Sequence, residues 1–547
     1  MKQTLLPKYI WRRINVWTIT SILGAAMVLL SILYVLTGLF RPANENWDNI
    51  LQFLLADYIL GSLKLVLITS FFATLIAVVL AWLVVGYTFP LRNFYKWAFI
   101  LPLAVPPYIA AYTYSYMTGY TGVIQAMLRN KFGIELPPGS IEVMSERGAI
   151  FILTLFLFPY IFIITRVFLQ SQSASFIENA RLLGHKPFSI FFKVVLPLAR
   201  PAIMAGVMLV VFEVLSDYGV ANFFGVQTVS TAIFQIWFGM YDIESALKLA
   251  AWLMLVVIAI FMFERLLRRN RRYAAKANRS NRLKPQQLKG IKAWVATIFC
   301  TIIFLLSFVA PVSQLIVWTF QYGSKIWRSD FFDLTINTLK GATIGTALIL
   351  VIALLSSRAA VMFASPFIQA LTRLMSAGYS VPGAIIAIGV LALFLALDEK
   401  LASLYTLFGK EEGVLVLSLS LTMLIAGYVI RFMATGYGSL EAGYDKLPRA
   451  YTEAARTLGR GSLSTFFRIE LPLLRGALLS GFILTFVEII KELPLTLLLR
   501  PFNFDTLATR AYQYATDERI FDAALPSLLL VLIGLASVLI IIKKERG

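Results

Sequence analysis

Runs of about twenty apolar residues recur along the whole chain, at roughly 16–40, 62–87, 94–118, 148–169, 201–225, 245–267, 293–320, 338–364, 371–397, 413–434, 476–500 and 524–542. About 20 helical residues cross a hydrocarbon core of about 30 Å. In lipid, every backbone N–H and C=O must be satisfied within the spanning structure, which leaves helices or closed barrels. These runs are too long and too continuously apolar for barrel strands. The chain therefore reads as an all-α integral membrane protein with twelve transmembrane helices. Composition agrees: 59% of the 547 residues are hydrophobic and 14% charged, where soluble domains are about 45–50% apolar.

The first run follows Lys2, Lys8, Arg12 and Arg13, as a signal peptide would. Its apolar stretch exceeds the roughly 7–15 residues of a signal core, so it reads as a retained span. The net charge is +20. With the N-terminus placed in the cytoplasm, the cytoplasmic loops collect most of the Lys and Arg and few of the Asp and Glu, which is the positive-inside pattern. An even number of spans then puts both termini in the cytoplasm. The basic excess is thus a topology signal, and no soluble basic domain exists to bind nucleic acid. Cys300 is the single cysteine and sits inside the seventh run; it reads as packing, and no intramolecular disulfide is possible.

Residues 265–292 contain eleven basic residues and no acidic one, and read as a solvated cytoplasmic linker. They separate a first six-span half, 1–264, from a second, 293–547. The halves match each other. An offset of 275 pairs Glu178 with Glu453, Ala180 with Ala455, Gly184 with Gly459, Phe191-Phe192 with Phe466-Phe467 and Leu196-Pro197-Leu198 with Leu471-Pro472-Leu473. An offset of 276 pairs Ser62-Leu63-Lys64 with Thr338-Leu339-Lys340, and Val105-Pro106 with Val381-Pro382. Such repetition marks duplication of a folding unit. Two halves of six spans enter and leave on the same face, so they are expected to be parallel repeats with a pathway between them.

The matching islands, near 171–200 and 437–475, fall in loops after the fourth and tenth runs. Each opens with E-x-A-R-x-L-G, where glycine suits a left-handed helix end. A short amphipathic segment follows, with Phe188, Phe191, Phe192 and Val195 in one copy and Leu463, Phe466, Phe467 and Glu470 in the other. L-P-L is then expected to stop it before the next span, because proline lacks an amide hydrogen. A bland alternative is a basic amphipathic helix resting on lipid headgroups. Two copies with the same Glu, Gly, Phe-Phe and Leu-Pro spacing favour a helix held by a partner instead.

This pattern, E-A-A-x-x-x-G followed by I/V-x-L-P, resembles the signature loop of the membrane subunits of bacterial ATP-binding-cassette (ABC) importers. Its presence twice in one chain resembles the fused permeases of ferric-iron importers, and the resemblance covers essentially the whole sequence. The stretches V-L-S-D-Y-G-V-A-N-F-F-G-V-Q-T-V-S-T-A-I-F-Q-I-W-F-G (214–239) and K-E-L-P-L-T-L-L-L-R-P-F (491–502) are similar to the ferric type. The resemblance implies a type I ABC importer permease fold in the cytoplasmic (inner) membrane of a bacterium. It implies two copies of a separate ATPase subunit gripping the loops, at Glu178, Ala180, Gly184, Phe191 and Pro197 and at Glu453, Ala455, Gly459, Phe466 and Pro472. Asn179 stands where the family's central Ala is usual. A periplasmic or lipid-anchored ferric-iron-binding protein would deliver the cargo. No G-x-x-x-x-G-K-[ST] phosphate loop occurs, so the chain is expected to bind no cofactor and to leave ATP to the partner.

Four acids lie within apolar runs: Glu213 and Asp217 in the fifth, Glu488 and Glu492 in the eleventh, again related by 275. Carboxylates four apart share a helix face, and charges at membrane depth face a cavity or a partner. They are expected to line a cation pathway, with transient contact to Fe³⁺, a hard ion that prefers oxygen ligands. The structural alternative pairs Lys491 with Glu488 or Glu492, or uses Glu213 or Asp217 as a cap. Tyr108, Tyr112, Tyr114 and Tyr116 offer phenol oxygens but read as an interfacial belt. His185 is the single histidine and reads as surface, so a histidine-based metal site is excluded, and no hydrolase signature appears. Two other readings stand beside ferric import: an importer for another small solute such as thiamine or a phosphonate, and an ion-coupled secondary transporter whose acids relay protons.

Overall fold

The computed structural model describes residues 16–42, 44–137, 139–140, 142–171, 175–269, 285–326, 329–363, 365–375, 378, 381–409 and 414–546. Residues 1–15 and 270–284, which hold the leading basic cluster and most of the linker, lie outside the described residues.

The apolar runs are helical. In the first half, α1 (Val16–Thr37) precedes α2 (Leu55–Gly86). The third run is not one helix: a short helix Arg92–Ala98 and a tight turn lead to α3 (Pro107–Thr118). Pro102, Pro106 and Pro107 remove three amide donors at that break. Then come α4 (Glu146–Ser171), α5 (Ser175–Leu182), α6 (Leu196–Ser216), α7 (Gly219–Phe223), α8 (Val229–Met240) and α9 (Ile243–Arg269).

The second half runs through α10 (Ile291–Phe304), α11 (Ala310–Ile326), α12 (Ser329–Phe363), α13 (Pro366–Met375), α14 (Gly383–Leu407) and α15 (Leu421–Asp445). It ends with α16 (Arg449–Thr457), α17 (Arg475–Lys491), α18 (Pro494–Leu499), α19 (Leu507–Thr516) and α20 (Ile520–Arg546). Among the described residues, eight helices are long and apolar enough to cross a membrane, or nine when a pair bent by 67° at residue 474 counts as one. The rest of the twelve expected runs fall short of that test. The third is broken, α14 carries Asp398, Glu399 and Lys400, and α15 carries Arg431.

Packing divides the chain into two compact units whose borders differ from those of the sequence halves. One holds residues 1–44, 236–254 and 329–509; the other holds 45–235, 255–328 and 510–547. In the first unit α15 packs on α12 and α17, and α1 lies against α12, α13 and α14. The second unit repeats that core with first-half helices: α4 packs on α2 and α6, while α11 packs on α20. Each core thus takes its extra helices from the other half of the sequence.

The end of the linker is more than a solvated run. Gln286–Gln287 pairs in parallel with Tyr87–Thr88, just beyond α2. Gln286 there helps line a cavity of about 320 Å³ with Trp82, Tyr87, Gly184 and His185.

Candidate functional site: the repeated loops and the broken spans

Both islands fold alike. Gly184 and Gly459 adopt φ of +77° and +73°, the left-handed conformation expected of them. The His185 N–H donates to Ala180 O (3.1 Å) and the Arg460 N–H to Ala455 O (3.0 Å). This is the six-to-one bond that closes a helix end with glycine. Ala180 and Ala455 are buried beneath the turn. Glu178 is half-buried and Glu453 exposed.

Beyond the turn a short helix, Pro187–Ile190 or Ser462–Thr465, enters a π-helical turn at Phe191–Val195 or Phe466–Glu470. One face is turned inward, with Val195 in one copy and Phe466 and Glu470 in the other buried. Large apolar side chains just before the turn and in the short helix are exposed at matching positions. Leu183 and Phe188 are 78% and 76% exposed, and Leu458 and Leu463 are 81% and 63% exposed. Both copies thus expose large apolar side chains at equivalent positions.

Proline ends the loop helix in one copy only. Pro472 precedes the 67° bend, where Leu474 leaves helical geometry with ψ of 0°. In the first copy, helix Pro187–Ser216 runs without a bend of that kind. Pro197 sits inside that continuous helix, two residues past the end of the π-helical turn Phe191–Val195.

The acid-bearing spans are broken, and this corrects the expectation of one helix face. α6 stops at Ser216, and Asp217 is extended (φ −68°, ψ 128°). Its carboxylate accepts the Ala221 N–H at 3.0 Å, at the start of α7. Likewise α17 stops at Lys491, and Glu492 is extended (φ −68°, ψ 122°). Its Oε1 accepts the Leu495 N–H at 3.1 Å, at the start of α18. Glu213 remains on α6, and Glu488 on α17 pairs with Lys491 at 3.2 Å. An acid therefore caps the helix that restarts each broken span.

The chain matches, at residues 73–272 and again at 351–544, the family described as binding-protein-dependent transport system inner membrane component. The chain belongs to that family. As an inner-membrane transport component, it is a multi-span membrane protein and not an enzyme. It is 24% identical to the Fe(3+)-transport system permease protein FbpB 2 of Haemophilus influenzae, over 87% of this chain and 88% of that protein. It is 26% identical to a putative ferric transport system permease protein of the same organism, over 71% of this chain and 61% of that one. The molybdenum transport system permease protein ModB of Escherichia coli is 30% identical over 29% of this chain and 68% of ModB.

Within this permease the tyrosines of α3 are interior, which corrects the interfacial-belt reading. Tyr112 pairs with the Ser527 hydroxyl and Tyr114 donates to Leu306 O. Tyr108 packs edge-on against Tyr512, and Tyr116 against Trp318 and Phe521. Their hydroxyls and rings tie helices of one unit together. His185 is exposed, as expected. Among the described residues, no three of His, Cys, Asp and Glu converge in a metal-binding group.

Two arginines escaped the sequence reading. Arg431, deep in α15, donates to Val381 O and acts electrostatically on Glu492. Arg358, near the end of α12, pairs with Glu470. A lone Arg inside an apolar run is the signal that flags both.

Proposed function

We propose that the chain is the permease subunit of an ATP-driven importer for ferric iron, with twelve spans arranged as a type I ABC importer permease and both termini cytoplasmic. The observation that carries this reading is the twin loop: one glycine-closed turn, one π turn and one exposed apolar face, built twice in a chain whose sequence carries no G-x-x-x-x-G-K-[ST] phosphate loop. Two such faces suit two copies of an ATPase subunit. Glu178, Ala180, Gly184, Phe191 and Pro197, with Glu453, Ala455, Gly459, Phe466 and Pro472, would form the docking elements. ATP closes the ATPase pair, the loops move together, and the halves rock between inward-open and outward-open states; coupling requires that both loops make different contacts in the two states.

An external binding protein, periplasmic or lipid-anchored, delivers the iron. Ferric cargo draws support from the names of the relatives that match along most of this chain. It also draws support from Glu213, Asp217, Glu488 and Glu492, which suit a cation and disfavour an anion. We place these acids along the translocation pathway, where they attract Fe³⁺ and contact it in passing. The test is purification of the chain from its native membrane. Retention of an ATPase subunit, lost when Leu183, Phe188, Leu458 and Leu463 are changed to Ser, supports docking; retention by that variant excludes it.

A further inference from the structure

The inward faces of the two loops are secured by different chemistry. In the second loop, Arg358 Nε lies 2.9 Å from Glu470 Oε2, with both side chains almost wholly buried. Arg358 Nη2 also donates to Ser462 O (2.5 Å) and to Ser462 Oγ (3.2 Å), and Tyr444 Oη donates to Glu470 at 3.3 Å. The guanidinium lies over two aromatic rings, 4.0 Å from the Trp17 ring centre and 4.6 Å from that of Phe466, and the two rings meet edge to face with centres 5.0 Å apart. One side chain of α12 therefore grips both ends of the loop helix, at 462 and at 470. A guanidinium is suited to this, because its planar donor fork serves several acceptors while its faces stack.

The repeat shows what the first loop has in those places. The offset of 276 carries Arg358 to Trp82, and the offset of 275 carries Glu470 to Val195 and Phe466 to Phe191. Trp82 is buried on α2 and meets the Phe191 ring with centres 6.4 Å apart, while Val195 is fully buried. The charged pair is replaced by an apolar one at the same two positions. Replacing a buried ion pair by packed apolar groups often preserves stability, whereas removing one partner does not.

We infer that Arg358 is a positioning residue that latches the second docking loop to α12, so that the two move as one body, and that Trp82 does this for the first loop by packing on Phe191. The inference rests on reading the loops as docking elements. The latch is why Glu470, an acid buried on the inward face of the loop helix, is tolerated there. Loop and span are joined at the point where force from a bound motor would enter.

The test compares Arg358→Gln, Arg358→Lys and the double variant Arg358→Trp with Glu470→Val, which installs the first loop's chemistry in the second. Two readouts are taken on the full chain. Amide hydrogen exchange of the purified protein compares 462–474 with 187–199. Ferric-ion uptake per ATP hydrolysed is measured in vesicles with the ATPase and binding protein. Arg358→Gln is expected to speed exchange roughly tenfold at 462–474 alone and to lower uptake per ATP roughly tenfold. Arg358→Lys and the double variant are expected to recover most of both.

Unchanged exchange and unchanged coupling in Arg358→Gln overturn the latch. A double variant that is folded and abundant but still uncoupled overturns the equivalence with Trp82. Should the unaltered chain drive no ATP-dependent uptake, the functional reading fails, and the exchange measurement still decides the latch.

Discussion

Asp217 and Glu492 hold the same position in the two halves of the chain. Each is the first residue after a helix break, and each accepts a backbone N–H of the helix that restarts, at 3.0 Å and 3.1 Å. A carboxylate placed there satisfies an amide that would otherwise be left open at membrane depth. The break and its acid are one device, repeated by duplication.

Capping predicts a separation between two substitutions. Asp217→Asn keeps an acceptor and should leave thermal stability nearly unchanged, while Asp217→Ala should cost about 1 kcal/mol. Thermal unfolding of the detergent-purified variants checks this; equal loss in both denies the cap.

The proposed pathway predicts an effect without loss of fold. Asp217 and Glu492 are the acids that bond the restarting helices, so Glu213→Gln together with Glu488→Gln tests the other two, with uptake compared at equal membrane abundance. Ferric-ion uptake should fall about tenfold or more, since the removed charges attract the cation at low dielectric. Uptake that is unchanged at equal abundance takes these acids out of the pathway.

Glycine at the loop turns is required by backbone geometry. Gly184→Ala or Gly459→Ala forces a Cβ into the left-handed region at a cost of about 1–2 kcal/mol. Nothing lies within 4 Å of either added Cβ, so strain and not collision sets the effect. ATPase retention on purification should drop for each variant, and Asn in place of Ala should restore much of it. Retention equal to that of the unaltered chain would exclude the turn as a docking element.

The buried ion pair predicts a stability pattern. Arg358→Gln or Glu470→Gln strands one charge and should cost about 3–5 kcal/mol, whereas Arg358→Trp with Glu470→Val should lie much closer to the unaltered protein. Thermal unfolding checks this, and a double variant no better than the singles contradicts it.

Much of this architecture is legible in residue order, for reasons the structure makes plain. Apolar length announces helices in lipid, and the duplicated islands announce equivalent loops, down to the left-handed Gly184 and Gly459. The breaks at Asp217 and Glu492 are hidden because the runs stay apolar across them. A helix end is set there by a local cap, which hydropathy does not record. The tyrosines of α3 resemble an interfacial belt until the partners supplied by distant segments, Ser527 and Leu306, are in place. Arg358 and Glu470 are 112 residues apart, and no spacing rule links them. Their relation is visible only against Trp82 and Val195 in the other half.

The most direct test of the central claim is ferric-ion accumulation in sealed vesicles containing the purified chain, with the external binding protein supplied and ATP enclosed on the loop side. Uphill accumulation is expected only when the ATPase subunit is also present, and should vanish when either loop is deleted from an otherwise folded chain. Uphill accumulation by the chain alone, or by a chain lacking a loop, would contradict it.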